Sequence, residues 1–463
     1  MKKLIPLLFF LLPVLSFSQQ NGYKSSPLDY AWKEVGNTGF TLGSATYTGI
    51  AIGLDGTPYV VTADGAIDLR AGVMKFNGTY WDTLGTYGFS PGQAGMPCLA
   101  ISPAGEPVVA FMDYTQASKA SVMKFDGTNW VFIGDAGFTP SSIYYSLSLA
   151  FNPVTGLPAV AFTDWSQNGK VSVMNFNGSS WTMTGSAGFS VGNAVSYTNL
   201  TFNTAGEPYV SYVDSVHSYK ITVMKFDGAN WGVVGNEGFS TGAAMMSTLA
   251  VSPAGEPYVA FPDNGNETKV TVMKFNGSSW AVVGTPQFKA PWSTLTSIAF
   301  SPLGIPYVAF TCSVNPYKAA VMKFNGTDWS LIGPEGFSAG EADHVTLAFS
   351  PSGQPYVAYV DWGNSYKATV MKYDSVYVGI PEAQKLKLSL YPDPASSTLT
   401  IGFMNNSCPV NSLDIEDAKG TILFEARNPG SSITVDVGNF PAGVYFVKLT
   451  TSGSHYCGKF CKK

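Results

Sequence analysis

From about residue 45 onward, short apolar runs alternate with turn residues on a fixed beat. One cycle spans residues 248–284. Its first run, TLAVSP, is halted by Ser252-Pro253 and Gly255. A second run, PYVAF, opens with Pro257, and proline is tolerated at a strand's first residue. A third, KVTVMKF, ends at Asn276-Gly277, a dipeptide suited to the positive φ angles of a tight hairpin. The fourth is WAVVG. The runs are too short for helices and carry β-branched and aromatic residues, so the pattern predicts four antiparallel strands per cycle. They are apolar nearly throughout, as expected of sheets covered on both faces.

Three markers keep the same period. Tryptophan recurs at 32, 81, 130, 181, 231, 280 and 329, at intervals of 49, 49, 51, 50, 49 and 49. Methionine recurs at 74, 123, 174, 224, 273, 322 and 371, and proline at 58, 107, 158, 208, 257, 306 and 355. Four strands in about 50 residues describe a propeller blade. The last cycle lacks its tryptophan strand, while Trp32 stands before the first cycle without preceding strands. The sequence therefore predicts an all-β fold: a seven-bladed β-propeller of four-stranded blades, in which the N-terminal strand around Trp32 closes the last blade. An open stack of hairpins would need no strand supplied from the far end.

The rhythm stops near Gly379. Residues 381–387 read as a linker, and the remainder forms short alternating runs that predict a small antiparallel, immunoglobulin-like β-sandwich over 388–463. Its residues include Leu390-Tyr391-Pro392-Asp393-Pro394-Ala395, then Leu399-Thr400-Ile401, Asp417 to Gly420, the run Pro441 to Leu449, and the basic end Lys459-Phe460-Cys461-Lys462-Lys463. In this order at the C-terminus, they resemble the type A sorting domain of cargo for the type IX secretion system of Bacteroidota. Asp393 stands where that family usually has Asn, and the cysteine at the end is unusual for it. The resemblance implies partnership with the secretion machinery, export across the outer membrane, and commonly removal of the domain. The repeats themselves resemble uncharacterised surface propeller repeats and bring no activity with them.

The N-terminus fits the same route. Lys2 and Lys3 precede an apolar run to Phe17 and small residues at 16 and 18, which predicts a signal peptide over 1–18. The propeller then occupies 19–380. No later segment is apolar enough to span a bilayer, so the mature chain is expected to lack a transmembrane segment and to be secreted or held on the cell surface. Charged residues make up only 12% and the net charge is −5, which argues against nucleic acid as a partner. Of the five cysteines, Cys408 with Cys457 or Cys461 is a candidate disulfide in an exported protein.

The sharpest repeated polar feature follows each second strand. Asp64, Asp113, Asp164, Asp214, Asp263 and Asp361 are each followed six residues on by a base: Arg70, Lys119, Lys170, Lys220, Lys269 and Lys367. Acid and base flank a short connection, so structural ion pairs across its foot are expected. One cycle has Cys312 in place of the acid and keeps Lys318, which makes Lys318 the odd site where an anion could bind. Aromatic residues of these loops vary between cycles. Trp165, Trp362 and Tyr114, with Trp292 in a connection between blades, are the candidate ligand contacts, since loops on a rigid scaffold are where binding resides. Tyr219, Tyr317 and Tyr366 belong to the same set.

Signs of catalysis are few. His217, His344 and His455 occur singly, no zinc spacing is present, and neither a metal nor a cofactor is expected. Only Arg70 and Arg427 are available, against the three arginines of a sialidase-type propeller. The expected function is that of an exported, monomeric, non-catalytic binding or adhesion module for a glycan, peptide or protein. The alternative is a secreted polysaccharide hydrolase or lyase with acids at the propeller mouth. Departures from the repeat are scattered, at Cys312, Asn175 and the loop 289–292, rather than gathered on one face.

Overall fold

A computed structural model describes residues 28–143, 146–194, 197–244, 246–286, 288, 295–312, 317–377, 387–404, 410–451 and 455–463. The signal peptide, Trp292, Cys408 and the 381–386 part of the linker lie outside them. No described helix is long and apolar enough to cross a membrane. The described regular structure is strand, with only one-turn 3₁₀ helices between strands. The chain divides into two units, one of them Tyr30–Ser375.

That unit holds seven four-stranded sheets, numbered here in chain order. In sheet 1, Ala45–Ile52, Pro58–Asp64, Arg70–Phe76 and Trp81–Thr83 pair antiparallel in sequence order. Sheets 2 to 6 repeat the plan. Sheet 7 takes Ala342–Phe349, Pro355–Asp361 and Lys367–Tyr377 from the end of the unit and Leu28–Glu34 from its beginning. The Val35 amide donates to Val370 at 2.9 Å, as the Leu84 amide does to Val73 within sheet 1. First strands of successive sheets touch, and Ala342–Phe349 of sheet 7 touches Ala45–Ile52 of sheet 1.

The proline markers open second strands whose residues are almost all buried. Burial on both faces explains the lack of apolar–polar alternation. At the outer edge, six of the repeated tryptophans stack on a Phe from the connection leading into their own sheet, as in Phe89–Trp130 at 4.0 Å and Phe239–Trp280 at 4.0 Å. Trp32 stacks on Phe337 in the same way, at 4.1 Å. The glycine four residues after the tryptophan position is fixed by packing against the tryptophan of the next sheet. A Cβ on Gly333, which has φ +77, would lie 2.8 Å from Trp32 Cδ1. In the Asn-Gly hairpins, Gly277 (φ +97) takes the positive angle, while Asn276 Oδ1 accepts from the Ser278 and Ser279 amides.

The C-terminal unit has two antiparallel sheets. Lys387–Tyr391, Thr398–Met404 and Ser432–Asp436 form one. Ile422–Arg427, Val410–Glu416, Gly443–Thr451 and His455–Lys462 form the other. They share one core, in which Leu399, Ile401, Leu413, Ile415, Val447, Leu449 and Phe460 are fully buried. Motif residues tie its ends together: Asp393 accepts the Cys461 amide at 2.8 Å, and the Tyr445 hydroxyl donates to Pro441 at 2.7 Å. Cys457 and Cys461 are exposed free thiols.

Candidate functional site: one end of the seven-sheet unit

First strands begin, second strands end and third strands begin at the same end of each sheet. In sheets 1 to 5 and 7 the chain makes one 3₁₀ turn between second and third strands, and the repeated aspartate is its N-cap. The reason is local. An extended residue with a short carboxylate satisfies the free amide two residues on. Asp64, for example, accepts the Ala66 amide at 2.8 Å and the Gly43 amide at 2.8 Å. In four sheets the second carboxylate oxygen takes a hydroxyl from the third strand: Ser121 to Asp113 at 2.9 Å, Ser172 to Asp164 at 3.0 Å, Thr222 to Asp214 at 3.2 Å and Thr369 to Asp361 at 2.9 Å. Sheet 1 has Gly72 there, and the space admits Tyr87, whose hydroxyl donates to Asp64 at 2.6 Å. Burial, then the Asp64 carboxylate, push the Tyr87 phenol far above its ordinary range.

These aspartates are therefore buried caps, and the expected ion pairs do not form. Asp64 and Arg70, Asp113 and Lys119, Asp164 and Lys170, Asp214 and Lys220, Asp263 and Lys269, and Asp361 and Lys367 are cross-strand partners by register. Yet each carboxylate turns inward at 0–1% exposure, and no ion pair joins any of these six among the described residues. Lys269 lies 3.7 Å from Glu267 instead. The premise for Lys318 falls with them. It is not distinguished by losing the aspartate, since none of its six counterparts pairs with that aspartate among the described residues. In sheet 6 the Cys312 amide and thiol both donate to the Lys318 carbonyl, at 2.9 and 3.1 Å.

The capped turns hold the aromatic candidates out to solvent. Tyr114, Trp165 and Trp362 take the first turn position and are 50%, 51% and 47% exposed. Tyr219 and Tyr366, just before third strands at φ +60 and +62, are exposed too, as is Tyr317. Trp362 and Tyr366 pack at 5.2 Å between centroids. Six exposed aromatic rings thus share one end of the unit, five of them on turns capped by a buried aspartate.

Where the seven first strands converge, an opening of about 200 Å³ is lined by residues of every sheet. Tyr47, Met96, Tyr197 and His344 contribute to it from sheets 1, 2, 4 and 7. Met96, Tyr197 and His344 have φ between +43 and +49, and strand register breaks at Met96 and His344 as in a β-bulge, which re-aims a side chain. Tyr47 meets His344 edge-on at 5.0 Å. Nδ1 of His344 lies 3.2 Å from Asp343 Oδ2, at ion-pair distance without hydrogen-bond alignment. Burial pushes Asp343 upward, but the His344 contacts outweigh it and hold the carboxyl below its ordinary value. Burial raises the Tyr47 and Tyr197 phenols. Sequence reading passed over this cluster because His344 looks solitary; only alignment of the repeats puts it level with Tyr47 and Tyr197. His217 also has a repeated place, as last residue of its 3₁₀ turn, 2.8 Å from Asp214 and 3.4 Å from Glu237. Among the described residues no group of three or more His, Cys, Asp or Glu is placed to hold a metal.

Comparison with solved structures establishes the class of fold. A lectin of Burkholderia pseudomallei matches at 14% identity and TM-score 0.52, over 73% of this chain and 98% of its own. AofleA of Arthrobotrys oligospora matches at 11% identity and TM-score 0.46, over 66% and 90%. An α-L-arabinanase of Penicillium chrysogenum, complexed with arabinobiose, matches at 12% identity and TM-score 0.43, over 75% and 98%. At 14% identity the likeness to the Burkholderia lectin is one of fold alone, and the fold is that of a β-propeller. No curated protein matches the chain in sequence. Residues 389–463 match the family of secretion system C-terminal sorting domains, which bears out the resemblance read from Leu390 to Lys463 and marks a secreted or cell-surface protein.

Proposed function

We propose that this protein is a closed seven-bladed β-propeller that the type IX system delivers to the exterior of a Bacteroidota cell, where it binds a glycan, peptide or protein without catalysis. The observation that carries the reading is the shared face of Tyr114, Trp165 and Trp362, each half-exposed on a turn anchored by a buried aspartate. Flat apolar rings on fixed backbone stack on sugar rings or side chains with little ordering cost. The sheet 7 topology supports the closed ring. In this account residues 1–18 are a signal peptide, 19–380 the propeller, 381–387 a linker, and 388–463 an immunoglobulin-like sorting sandwich removed after export. The mature protein acts as a monomer with no cofactor.

A hydrolase or lyase would need accessible carboxylates at the mouth, because glycoside hydrolysis commonly uses a pair of them. The six repeated aspartates are buried and spent on caps, and Asp343, the neighbour of His344 at the opening, lies 3.2 Å from its Nδ1. Both features favour binding. The test is a glycan and polysaccharide array on the full chain, followed by a reducing-sugar assay on every hit. Retention that falls in Trp165→Ala/Trp362→Ala, with no sugar released, is the expected result. Release of sugar abolished by Asp343→Asn would replace this reading with the hydrolase.

A further inference from the structure

The other end of the seven-sheet unit carries a second repeated arrangement, and one sheet breaks it. The residue after each marker proline is the register partner of a residue on the third strand. In five sheets the pair is Tyr and Lys: Tyr59–Lys75, Tyr209–Lys225, Tyr258–Lys274, Tyr307–Lys323 and Tyr356–Lys372. In four of them the ammonium lies over the ring, 5.5 to 5.8 Å from its centroid. Sheet 2 has Val108–Lys124. In sheets 2, 4 and 5 the lysine is also held by the glutamate before the proline, Glu106, Glu207 or Glu256, at 2.7 to 3.1 Å.

Sheet 3 departs at all three positions at once. Ala159 replaces the ring, Asn175 the lysine and Leu157 the glutamate. Between sheets 3 and 4 these neutral residues line a cavity of about 370 Å³. It reaches Ala159 and Val173, and Phe176, Phe202 and Phe226 line it as well. The neighbouring cleft between sheets 4 and 5, about 540 Å³, is lined instead by Tyr209 and Lys225. Asn175 Oδ1 accepts the Thr184 hydroxyl at 2.7 Å, which orients the amide and leaves its Nδ2 donors without a protein partner among the described residues. The acids at this cavity are engaged elsewhere: Glu207 by Lys225 at 2.7 Å, Asp227 by the Ala229 and Asn230 amides.

We propose that this cavity is a second binding site, for one neutral sugar unit, distinct from the aromatic face. Its size suits a single ring, since ligand pockets start at about 300 Å³. Apolar aromatic walls match the C–H face of a pyranose, and the Asn175 amide and Thr184 hydroxyl match its hydroxyl edge. Loss of the lysine leaves no cation in the lining, while the carboxylates of Glu207 and Asp227 remain there, so an anionic ligand is disfavoured. The site goes beyond the proposed function, because it stands or falls independently of Trp165 and Trp362.

Saturation-transfer NMR tests it on the full chain, with the methyl glycosides of glucose, galactose, mannose and N-acetylglucosamine as probes. At least one should bind. Ala159→Tyr/Asn175→Lys restores the pair found in five other sheets, replaces the neutral lining with a phenol and an ammonium, and should abolish that binding. Asn175→Ala, which keeps the cavity open, should weaken it about tenfold through loss of the amide donor. Trp165→Ala/Trp362→Ala should leave it unchanged. The proposal is overturned if no glycoside binds, if the Ala159→Tyr/Asn175→Lys or Asn175→Ala variant binds as wild type does, or if the tryptophan variant alone loses binding. In that last case the aromatic face keeps its role and the cavity has none.

Discussion

The indole Nε1 of Trp32 donates to the carbonyl of Ile332 at 2.8 Å, across 300 residues of sequence. The same bond joins Trp81 to Val35, Trp130 to Leu84, Trp181 to Ile133, Trp231 to Thr184, Trp280 to Val234 and Trp329 to Val283, at 2.6 to 2.8 Å. Each tryptophan thus clips its sheet to the preceding one. Trp32 makes for sheet 7 the contact that local sequence makes for the other six.

If the repeated aspartates are caps and not ion-pair partners, the two ends of the pair differ in worth. Asp214→Ala should cost about 2–3 kcal/mol, since it strips the Val216 amide and the Thr222 hydroxyl of their acceptor in a buried place. Lys220→Ala should cost no more than about 0.5 kcal/mol. All ten tryptophans lie before residue 363, so denaturant unfolding read by tryptophan fluorescence reports on the seven-sheet unit alone. Equal costs would restore the ion pair.

The architecture was legible because it repeats. Period gave the sheets, proline gave the second-strand starts, and the stranded Trp32 gave its place in sheet 7. The acid–base spacing was legible too, but its meaning was not. Asp214 and Lys220 are cross-strand neighbours either way, and only burial reveals that the carboxylate faces amides and hydroxyls. His344 was hidden for a different reason. Its position is variable, shared by Tyr47, Met96 and Tyr197, so no residue type marks it until the strands converge. Asn175 was visible as one departure, but its coupling to Ala159 and Leu157 needed the register of sheet 3.

Asp343 should show the influence of His344 in its titration. Its folded pKa is depressed, so its ionised form stabilises the fold above the ordinary carboxylate value of 3.8, and that contribution is lost as pH falls below it. Carboxyl NMR of the native chain should find the Asp343 midpoint below 3.8, and His344→Gln should move it upward. A midpoint at or above the ordinary value in the native chain would remove His344 from this role.

Cys98 as a whole residue is half-buried, but its sulfur donates to the Leu147 carbonyl at 3.1 Å, and burial pushes the thiol up to about 12. Little thiolate is present at pH 8, and the thiolate is the nucleophile. Native iodoacetamide labelling at that pH, read by peptide mass spectrometry, should mark the exposed Cys457 and Cys461 and spare Cys98 until the chain is unfolded. Comparable labelling of Cys98 in the native protein would contradict its burial.

Removal of residues 389–463, the segment matching the sorting family, should leave the rest of the chain folded but retained inside the cell. Protease shaving of whole cells, followed by immunoblotting of cell and medium fractions, reads the outcome. Surface delivery of the shortened chain would show that another signal directs export.

The central claim is that the Trp32 strand closes the ring of sheets, and its stacking on Phe337 at 4.1 Å offers the most direct measurement. A double-mutant cycle with Trp32→Ala, Phe337→Ala and the double variant, followed by tryptophan fluorescence in denaturant, isolates the pair. A coupling of about 0.5–1.5 kcal/mol is predicted, as for an aromatic pair in contact. Costs that add to within about 0.3 kcal/mol would mean that Trp32 docks elsewhere and the ring is not closed by it.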